Sequence, residues 1–158
     1  MTAPTTSEAT DAFELLYTRS YDRLVRIARL TSADTVPAEE IVQDAFVQLY
    51  RRWSEVRDPA AYLRLAVVNG CRSWGRRRSV QRRPVAAPPV EPLLDGDALA
   101  VRQALLLLTP RQRAAVVLRY FEDLPEADIA AALGCRPGTV KSLLSRSLAT
   151  LKEALDGD

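Results

Sequence analysis

Apolar residues recur at intervals of three and four along most of the chain, which is the spacing of one face of an α-helix. A first run covers residues 11–30, and a second starts at Pro37, which suits a first helical turn because it needs no amide partner there. The second run reaches about residue 53, and a third begins at residues 58–59. No segment alternates as a β-strand does, so the pattern predicts an all-α fold.

Prolines divide the chain into two parts. The segment 84–96 contains four prolines, and a helix cannot propagate through it. Residues 1–10 are small and polar, and we expect them to be disordered. The rest of the sequence predicts two small helical domains, residues 11–83 and residues 97–158, joined by the proline-rich linker 84–96.

The second domain contains a helix-turn-helix pattern. A leucine-rich helix over residues 97–108 is followed by Thr109 and Pro110, an N-cap and a first-turn proline, which begin a helix reaching about residue 121. Two further helices flank a tight turn at Gly134, an arrangement that places the second helix in a DNA major groove. An ordinary amphipathic C-terminal helix fits the same periodicity, but the helix and turn before it disfavour that interpretation.

The last helix separates an apolar arc from a polar one when its residues are projected at 100° intervals. Leu144, Leu148 and Leu155 fall within the apolar arc, so we expect them to pack inward, while Leu143 lies at its border. The opposite arc holds small polar side chains and cations, which suit contact with phosphates and base edges. The projection therefore predicts which face of this helix meets DNA.

Charge is distributed unevenly, although the total is close to neutral. Residues 1–83 carry 14 basic and 10 acidic side chains, whereas residues 84–158 carry 8 and 10. Seven arginines and no acidic residue lie between Arg64 and Arg83. A basic stripe of this kind fits a phosphate backbone, and a solvated helix face is the alternative.

The composition disfavours several classes of chemistry. The chain has no histidine, which removes the commonest general base and the usual zinc ligand. Cys71 and Cys135 form no CxxC pair, so we expect reduced, half-buried thiols in a cytoplasmic protein. No apolar run approaches the ~20 residues of a membrane span, so we expect no membrane insertion. We also expect no cofactor, no metal site, no small-molecule substrate and no enzymatic activity.

Two motifs resemble those of a known family. Residues 109–124, with residues 129–130 and 138–142, resemble region 4 of bacterial RNA polymerase sigma factors, and response-regulator-type activators have a similar pattern. Residues 38–53 resemble sigma region 2.2, and residues 58–69 are similar to regions 2.3 to 2.4. Because the motifs occur in the right order, the whole chain resembles an extracytoplasmic-function (ECF, group 4) sigma factor of the sigma-70 superfamily.

The resemblance implies a function and its partners. A sigma factor binds core RNA polymerase, recognises the −35 and −10 elements of promoter DNA, and promotes DNA melting for transcription initiation. An anti-sigma factor is a further implied partner, although no residue demonstrates one. The residues alone leave open a helix-turn-helix regulator that binds DNA without polymerase, whereas no motif supports an enzyme acting on nucleic acid.

The resemblance also implies roles for particular residues. Polymerase contact is implied for one helix, through Glu40, Gln43, Asp44, Val47 and Arg51. Contact with the −10 element is implied for a base-capturing loop and the helix after it, through Ser54, Val56, Asn69, Arg72, Trp74, Arg76, Arg77 and Arg78. Contact with the −35 element is implied for Arg136, Thr139, Lys141, Ser142, Ser145 and Arg146. A solvated face is the alternative for the first set, and a core position is the alternative for Trp74.

The chain departs from the family pattern at four positions. Leu143 and Leu148 stand where many members carry arginine, so we expect a recognition helix with fewer basic contacts. Pro37 and Ser73 replace acidic residues that are frequent in the family. These departures affect the promoter contacts rather than the expected architecture.

Overall fold

The computed structural model describes residues 5–32, 37–81 and 96–157, without the side chains of residues 75–81, 97 and 98. Within these ranges the chain forms seven α-helices and one π-helical segment, and no described residue lies in a β-strand. The predicted all-α fold with two helical domains is therefore confirmed. Residues 1–4 and most of the expected linker lie outside the described residues.

The N-terminal domain consists of three helices: α1 (Thr6–Thr31), α2 (Ala38–Arg51) and α3 (Pro59–Gln81). The expectation of disorder over residues 1–10 is wrong for residues 6–10, which belong to α1. Thr5 and Glu8 form a reciprocal capping box, so two amides that the first turn leaves without helical partners are satisfied. The Thr5 amide donates to the Glu8 carboxylate at 2.9 Å and lowers the pKa of that carboxyl.

The core of this domain lies between all three helices. Val42 and Leu49 from α2 meet Leu63 and Val67 from α3, and all four side chains are buried. Helices α2 and α3 approach closely at Gly70, where an added Cβ would lie 2.8 Å from Cγ2 of Ile41. Each helix therefore has an inner face that packs into this core and an outer face that remains in solvent.

The C-terminal domain consists of shorter elements followed by one long helix. They are α4 (Gly96–Leu106), α5 (Pro110–Val116), the π-segment (Val117–Phe121), α6 (Glu126–Leu133) and α7 (Pro137–Asp156). Thr109 caps α5 as predicted, because its hydroxyl accepts from the Gln112 amide and the Gln112 side chain accepts in return. The helix expected to reach about Phe121 is α5 continued by the π-segment, and α4 ends two residues before the expected Leu108.

The two domains pack directly against each other, which the sequence pattern did not predict. Val117 of the π-segment is buried in the N-terminal core, while Val68 of α3 is buried in the C-terminal core. Leu30, near the end of α1, packs against both cores. The next residue of the π-segment, Leu118, is buried in the C-terminal core. Val117 and Leu118 therefore pack into the cores of different domains.

Candidate nucleic-acid and protein interfaces

The outer face of α2 carries the five residues expected to contact another protein. They are Glu40, Gln43, Asp44, Val47 and Arg51, and all of them are exposed. We call this set the α2 stripe. It lies opposite the buried Ile41, Ala45 and Leu49, so the helical periodicity of the core leaves it free for a partner.

An exposed aromatic residue that the sequence analysis missed adjoins the α2 stripe. Tyr50 is 64% exposed and follows Val47, itself 48% exposed, by three residues on the same helix. The ring of Phe13 in α1 meets the Tyr50 ring edge-on, with centroids 5.4 Å apart, and so supports it. The spacing of three residues between Val47 and Tyr50 could have predicted from the sequence that they share a face. A single tyrosine at a helix end, however, does not by itself indicate a binding surface.

The turn between α6 and α7 has the geometry that a helix-turn-helix requires. Gly134 ends α6 with φ of 67°, a left-handed conformation that glycine adopts without strain. The Cys135 amide then donates to the Ala130 carbonyl at 3.0 Å, and α7 begins with Pro137 in its first turn. The turn thereby places one face of the N-terminal half of α7 on the core, through Val140 and Leu144, and leaves the opposite face in solvent.

Residues expected to contact the −35 element occupy the exposed N-terminal half of α7. Lys141, Ser142, Ser145 and Arg146 line a shallow surface depression. Arg136, the exposed N-cap residue, and the half-buried Thr139 lie at the N-terminal end of the same helix. The helix N-terminus adds its partial positive charge to these three cations, which favours a phosphate.

The expected burial of Leu148 and Leu155 is wrong. They are 43% and 48% exposed, whereas Leu144 is buried as the projection predicted. α7 packs against α4, α5 and α6, but Leu148 and Leu155 lie on parts of its apolar arc that these helices leave uncovered. Apolar periodicity identifies a helix face, but only neighbouring elements decide how far along the helix that face is covered.

The loop between α2 and α3 presents one of its two expected residues to solvent. Ser54 is exposed, whereas Val56 is half-buried against the N-terminal core. Arg52 pairs with Glu55 at 3.2 Å, and its guanidinium carbon lies 6.0 Å from the centre of the Tyr62 ring. These contacts order the loop beside the start of α3.

The expected −10 residues of α3 do not all share one face. Asn69 is exposed and Arg72 is half-buried, whereas Trp74 packs against the N-terminal core. Trp74 therefore lies partly buried at the edge of the core, and its contact with the −10 element stays a prediction. Arg76, Arg77 and Arg78 belong to α3, but their side chains lie outside the described residues.

The described residues also bear on metal binding, membrane insertion and thiol reactivity. They contain no cluster of histidine, cysteine or carboxylate side chains suited to a metal ion. None of the described helices is long and apolar enough to cross a membrane. Burial raises the pKa of the Cys71 thiol to about 12, which makes it a poor nucleophile at neutral pH.

Comparison with known proteins identifies the family. The sequence-family model of sigma-70 region 2 matches residues 16–81 of this chain. The family model of sigma-70 region 4 matches residues 98–151. The RNA polymerase sigma-E factor of Streptomyces coelicolor is 38% identical over 151 residues, which cover 90% of this chain and 85% of that protein. This chain belongs to the sigma-70 family of RNA polymerase sigma factors.

Further relatives of this sigma factor agree on the family and on the fold. The ECF RNA polymerase sigma factor SigM of Mycobacterium tuberculosis is 37% identical over 91% of this chain and 77% of its own. The solved sigma factor RpoE, in complex with the anti-sigma factor NepR from Bartonella quintana, matches with a TM-score of 0.77 and 26% identity. That match covers 93% of this chain and 98% of RpoE, so it includes both domains. These findings support the sigma factor interpretation rather than the regulator that binds DNA without polymerase.

Proposed function

We propose that this sigma factor binds core RNA polymerase through the α2 stripe, recognises the −35 element with α7, and engages the −10 element with the α2–α3 loop and α3. The observation that carries the proposal is the exposure of two separate surfaces, one on each domain. The α2 stripe and the N-terminal half of α7 both face solvent, while the faces behind them are buried. Each domain can therefore bind its target without unfolding.

The α2 stripe has the composition of a protein-binding surface. Protein interfaces place apolar and aromatic groups at the centre and polar groups around them. Val47 and Tyr50 supply the apolar groups, and Glu40, Asp44 and Arg51 supply charges of both signs. We assign this surface to polymerase because it lies within the matched region 2 of the family.

The α7 surface has the composition of a duplex DNA reader. Lys141 and Arg146 can donate to phosphates or guanine edges, and Ser142 and Ser145 are small enough to let the helix approach the bases closely. The Ser142 hydroxyl donates to the Gly138 carbonyl at 3.3 Å, which leaves its oxygen available as an acceptor. We propose readout by a few cations and serines rather than by a dense basic patch.

The proposed −10 surface uses the charge of α3 and the α2–α3 loop. Asn69 and Arg72 lie near the arginine cluster, and no acidic residue occurs from Arg64 to Arg83 in the sequence. Cations beside a separating duplex favour the single strand, and unstacking a base costs a few kcal/mol. Ser54, exposed in the loop, is the proposed contact for a displaced base.

Three further assignments complete the proposal. The protein acts as an initiation factor without catalytic activity of its own, as sigma factors generally do. It acts in the cytoplasm, where bacterial polymerase transcribes. An anti-sigma factor regulates it, by analogy with RpoE bound to NepR and with CnrH bound to the cytosolic domain of CnrY.

Run-off transcription tests the proposal directly. Purified core polymerase, with and without this protein, is given a pool of promoter templates, and the transcripts are sequenced. We expect transcripts that depend on the protein and on both promoter elements. Specific binding to promoter DNA by the protein alone, without any binding to core polymerase, would contradict the proposal and favour an independent regulator.

A further inference from the structure

A half-buried arginine holds the turn that leads into the helix-turn-helix. Arg119, in the π-segment, donates through Nη1 to the Leu124 carbonyl at 2.9 Å. The Leu124 amide donates to the Leu118 carbonyl at 3.1 Å. The peptide groups on both sides of Leu124 are therefore fixed by the π-segment, two residues before α6 begins at Glu126.

The backbone before this turn has an unusual conformation. The Glu122 amide donates to the Val117 carbonyl at 3.2 Å, five residues back, as in a π-helix. Asp123 then has φ of 54°, a left-handed conformation that most residues other than glycine adopt only under strain. Both features are frequent at functional sites, where surrounding contacts hold them in place. The hydrogen bond of Arg119 is a contact of this kind.

The start of α6 has no side-chain cap of its own. Its N-cap residue is Pro125, whose ring has no oxygen that could accept from an amide. The Asp128 and Ile129 amides donate to the Pro125 carbonyl at 3.0 and 3.1 Å, so this carbonyl anchors the first turn of α6. A rotation of the peptide between Leu124 and Pro125 would move that anchor. The Arg119 contact therefore takes the place of a cap in fixing the start of α6.

The direction of α6 decides the direction of α7. The tight turn at Gly134 joins the two helices, and Ile129 of α6 is buried in the same core as Val140 of α7. A rotation at the start of α6 is therefore passed on to the exposed face that carries Lys141 and Arg146. Side chains that read base edges have to be held within about 0.5 Å of the productive geometry, so even a small rotation matters.

We infer that Arg119 is a positioning residue for recognition of the −35 element. Its hydrogen bond to Leu124 sets the orientation of α6 and, through α6, that of α7. Arg119 acts without contacting DNA itself, because it is half-buried and its guanidinium is directed at a carbonyl of its own domain. The effect on promoter recognition rests on the proposed function, whereas the effect on the start of α6 does not.

Amide hydrogen exchange in the free, full-length protein measures the effect on α6. Arg119→Met keeps a long, unbranched side chain but removes the donor. We expect the Asp128 and Ile129 amides to exchange at least about fivefold faster than in the parent protein, because the first turn of α6 then opens more often. Arg119→Lys should restore part of the protection, since its ammonium group can donate to the same carbonyl.

Transcription with core polymerase measures the effect on promoter recognition. Templates with and without a −35 element compete at a temperature at which the variant is fully folded. We expect Arg119→Met to lower the preference for the −35 template by about 5–20-fold, with an unchanged affinity for polymerase. The salt dependence of promoter binding should keep the slope of the parent protein, because no phosphate contact is lost.

A double-mutant cycle tests whether Arg119 acts through α7. When Lys141 and Arg146 are already alanine, Arg119→Met should lower the −35 preference by less than about twofold, because the contacts that it positions are absent. The matched control is Arg111→Met, which removes an exposed arginine from α5, the helix that the π-segment continues. This control should behave like the parent protein in every measurement.

Each outcome has a distinct meaning. Equal exchange at Asp128 and Ile129 in Arg119→Met and Arg111→Met overturns the positioning role, whatever the promoter results. Faster exchange with an unchanged −35 preference overturns its part in recognition, and so does a salt slope that falls by about one, which indicates a direct phosphate contact. Faster exchange in Arg119→Met, with a parent protein that never binds polymerase, supports the role in α6 and contradicts the proposed function.

Discussion

The two domains expose their proposed binding surfaces, the α2 stripe and the outer face of α7, by different means. The N-terminal domain packs three long helices on one shared core, and the α2 stripe is the outer face of a core helix. The C-terminal domain uses short elements and a turn at Gly134 to direct one long helix outward. The first surface follows from helical periodicity alone, whereas the second depends on the turn and on which helices cover α7.

The domains also differ in where they bury charge. Among the described residues, the buried charged side chains are Arg113 and Glu122, and both belong to the C-terminal domain. Each of them reaches a partner in the N-terminal domain. Both buried charges of the C-terminal domain therefore have partners in the N-terminal domain. Glu122 pairs with the exposed Arg23, and Arg113 donates to the Thr31 carbonyl at the end of α1.

The largest expected effect tests these contacts through Arg113→Ala. The substitution leaves the carbonyls of Thr31, Leu105 and Leu108 without their donor in a buried setting. We expect the free energy of unfolding to fall by about 3–5 kcal/mol, since each buried unsatisfied group costs about 1–3 kcal/mol. Urea denaturation measures it, with Arg111→Ala, an exposed arginine of the same helix, as a control that should change by less than about 0.5 kcal/mol.

The next effect concerns the α2 stripe. Val47→Asp places a charge at the apolar centre of the proposed polymerase surface, and we expect binding to core polymerase to weaken by about 10–100-fold, or about 1.4–2.8 kcal/mol. Gln48→Asp adds the same charge at the next exposed residue, outside the stripe, and should bind almost as the parent does. Fluorescence anisotropy with labelled protein gives both affinities. Equal loss in the two variants would show that net charge, rather than this surface, decides binding.

A smaller effect separates the two surfaces. Replacing Lys141 and Arg146 together by alanine should weaken −35 recognition by about 1–3 kcal/mol while leaving polymerase binding unchanged. Lys152→Ala, an exposed cation further along α7, is the matched control and should have little effect. Competition between promoters with and without a −35 element measures the change. If the double variant lost polymerase binding, the roles of the two domains would be misassigned.

The smallest expected effect compares a glycine from each domain. Gly70→Ala forces Cβ against Cγ2 of Ile41, and we expect a net loss of about 1 kcal/mol, because overpacking costs about 1–3 kcal/mol and the better helix propensity offsets about 0.5–1 kcal/mol. Gly96→Ala meets no atom within 4 Å and should be neutral or slightly stabilising. Thermal unfolding distinguishes the two, and equal midpoints would show that α2 and α3 can separate at no cost.

Predictions from the sequence succeeded for features that are determined by residues close together in the chain. The cap at Thr109, the turn at Gly134 and the exposed α2 stripe each follow from neighbouring residues and helical spacing. The missed capping box at Thr5 and Glu8 is equally local, and it was overlooked because the apolar pattern begins only later. The residue types at Thr5 and Glu8 therefore indicate where α1 begins, which apolar periodicity alone does not.

Predictions failed or stayed open where the cause lies far away in the chain. The exposure of Leu148 and the packing of Trp74 at the edge of the core depend on which helices lie beside them, and the packing of Val117 and Val68 into opposite cores joins segments about fifty residues apart. The sequence by itself determined the helices, the two domains and the sigma-70 motifs, because helix formation and capping act within a few residues. The tertiary structure alone decided which faces remain in water and how Glu122 and Arg113 find their partners, because burial and charge pairing depend on contacts between distant residues.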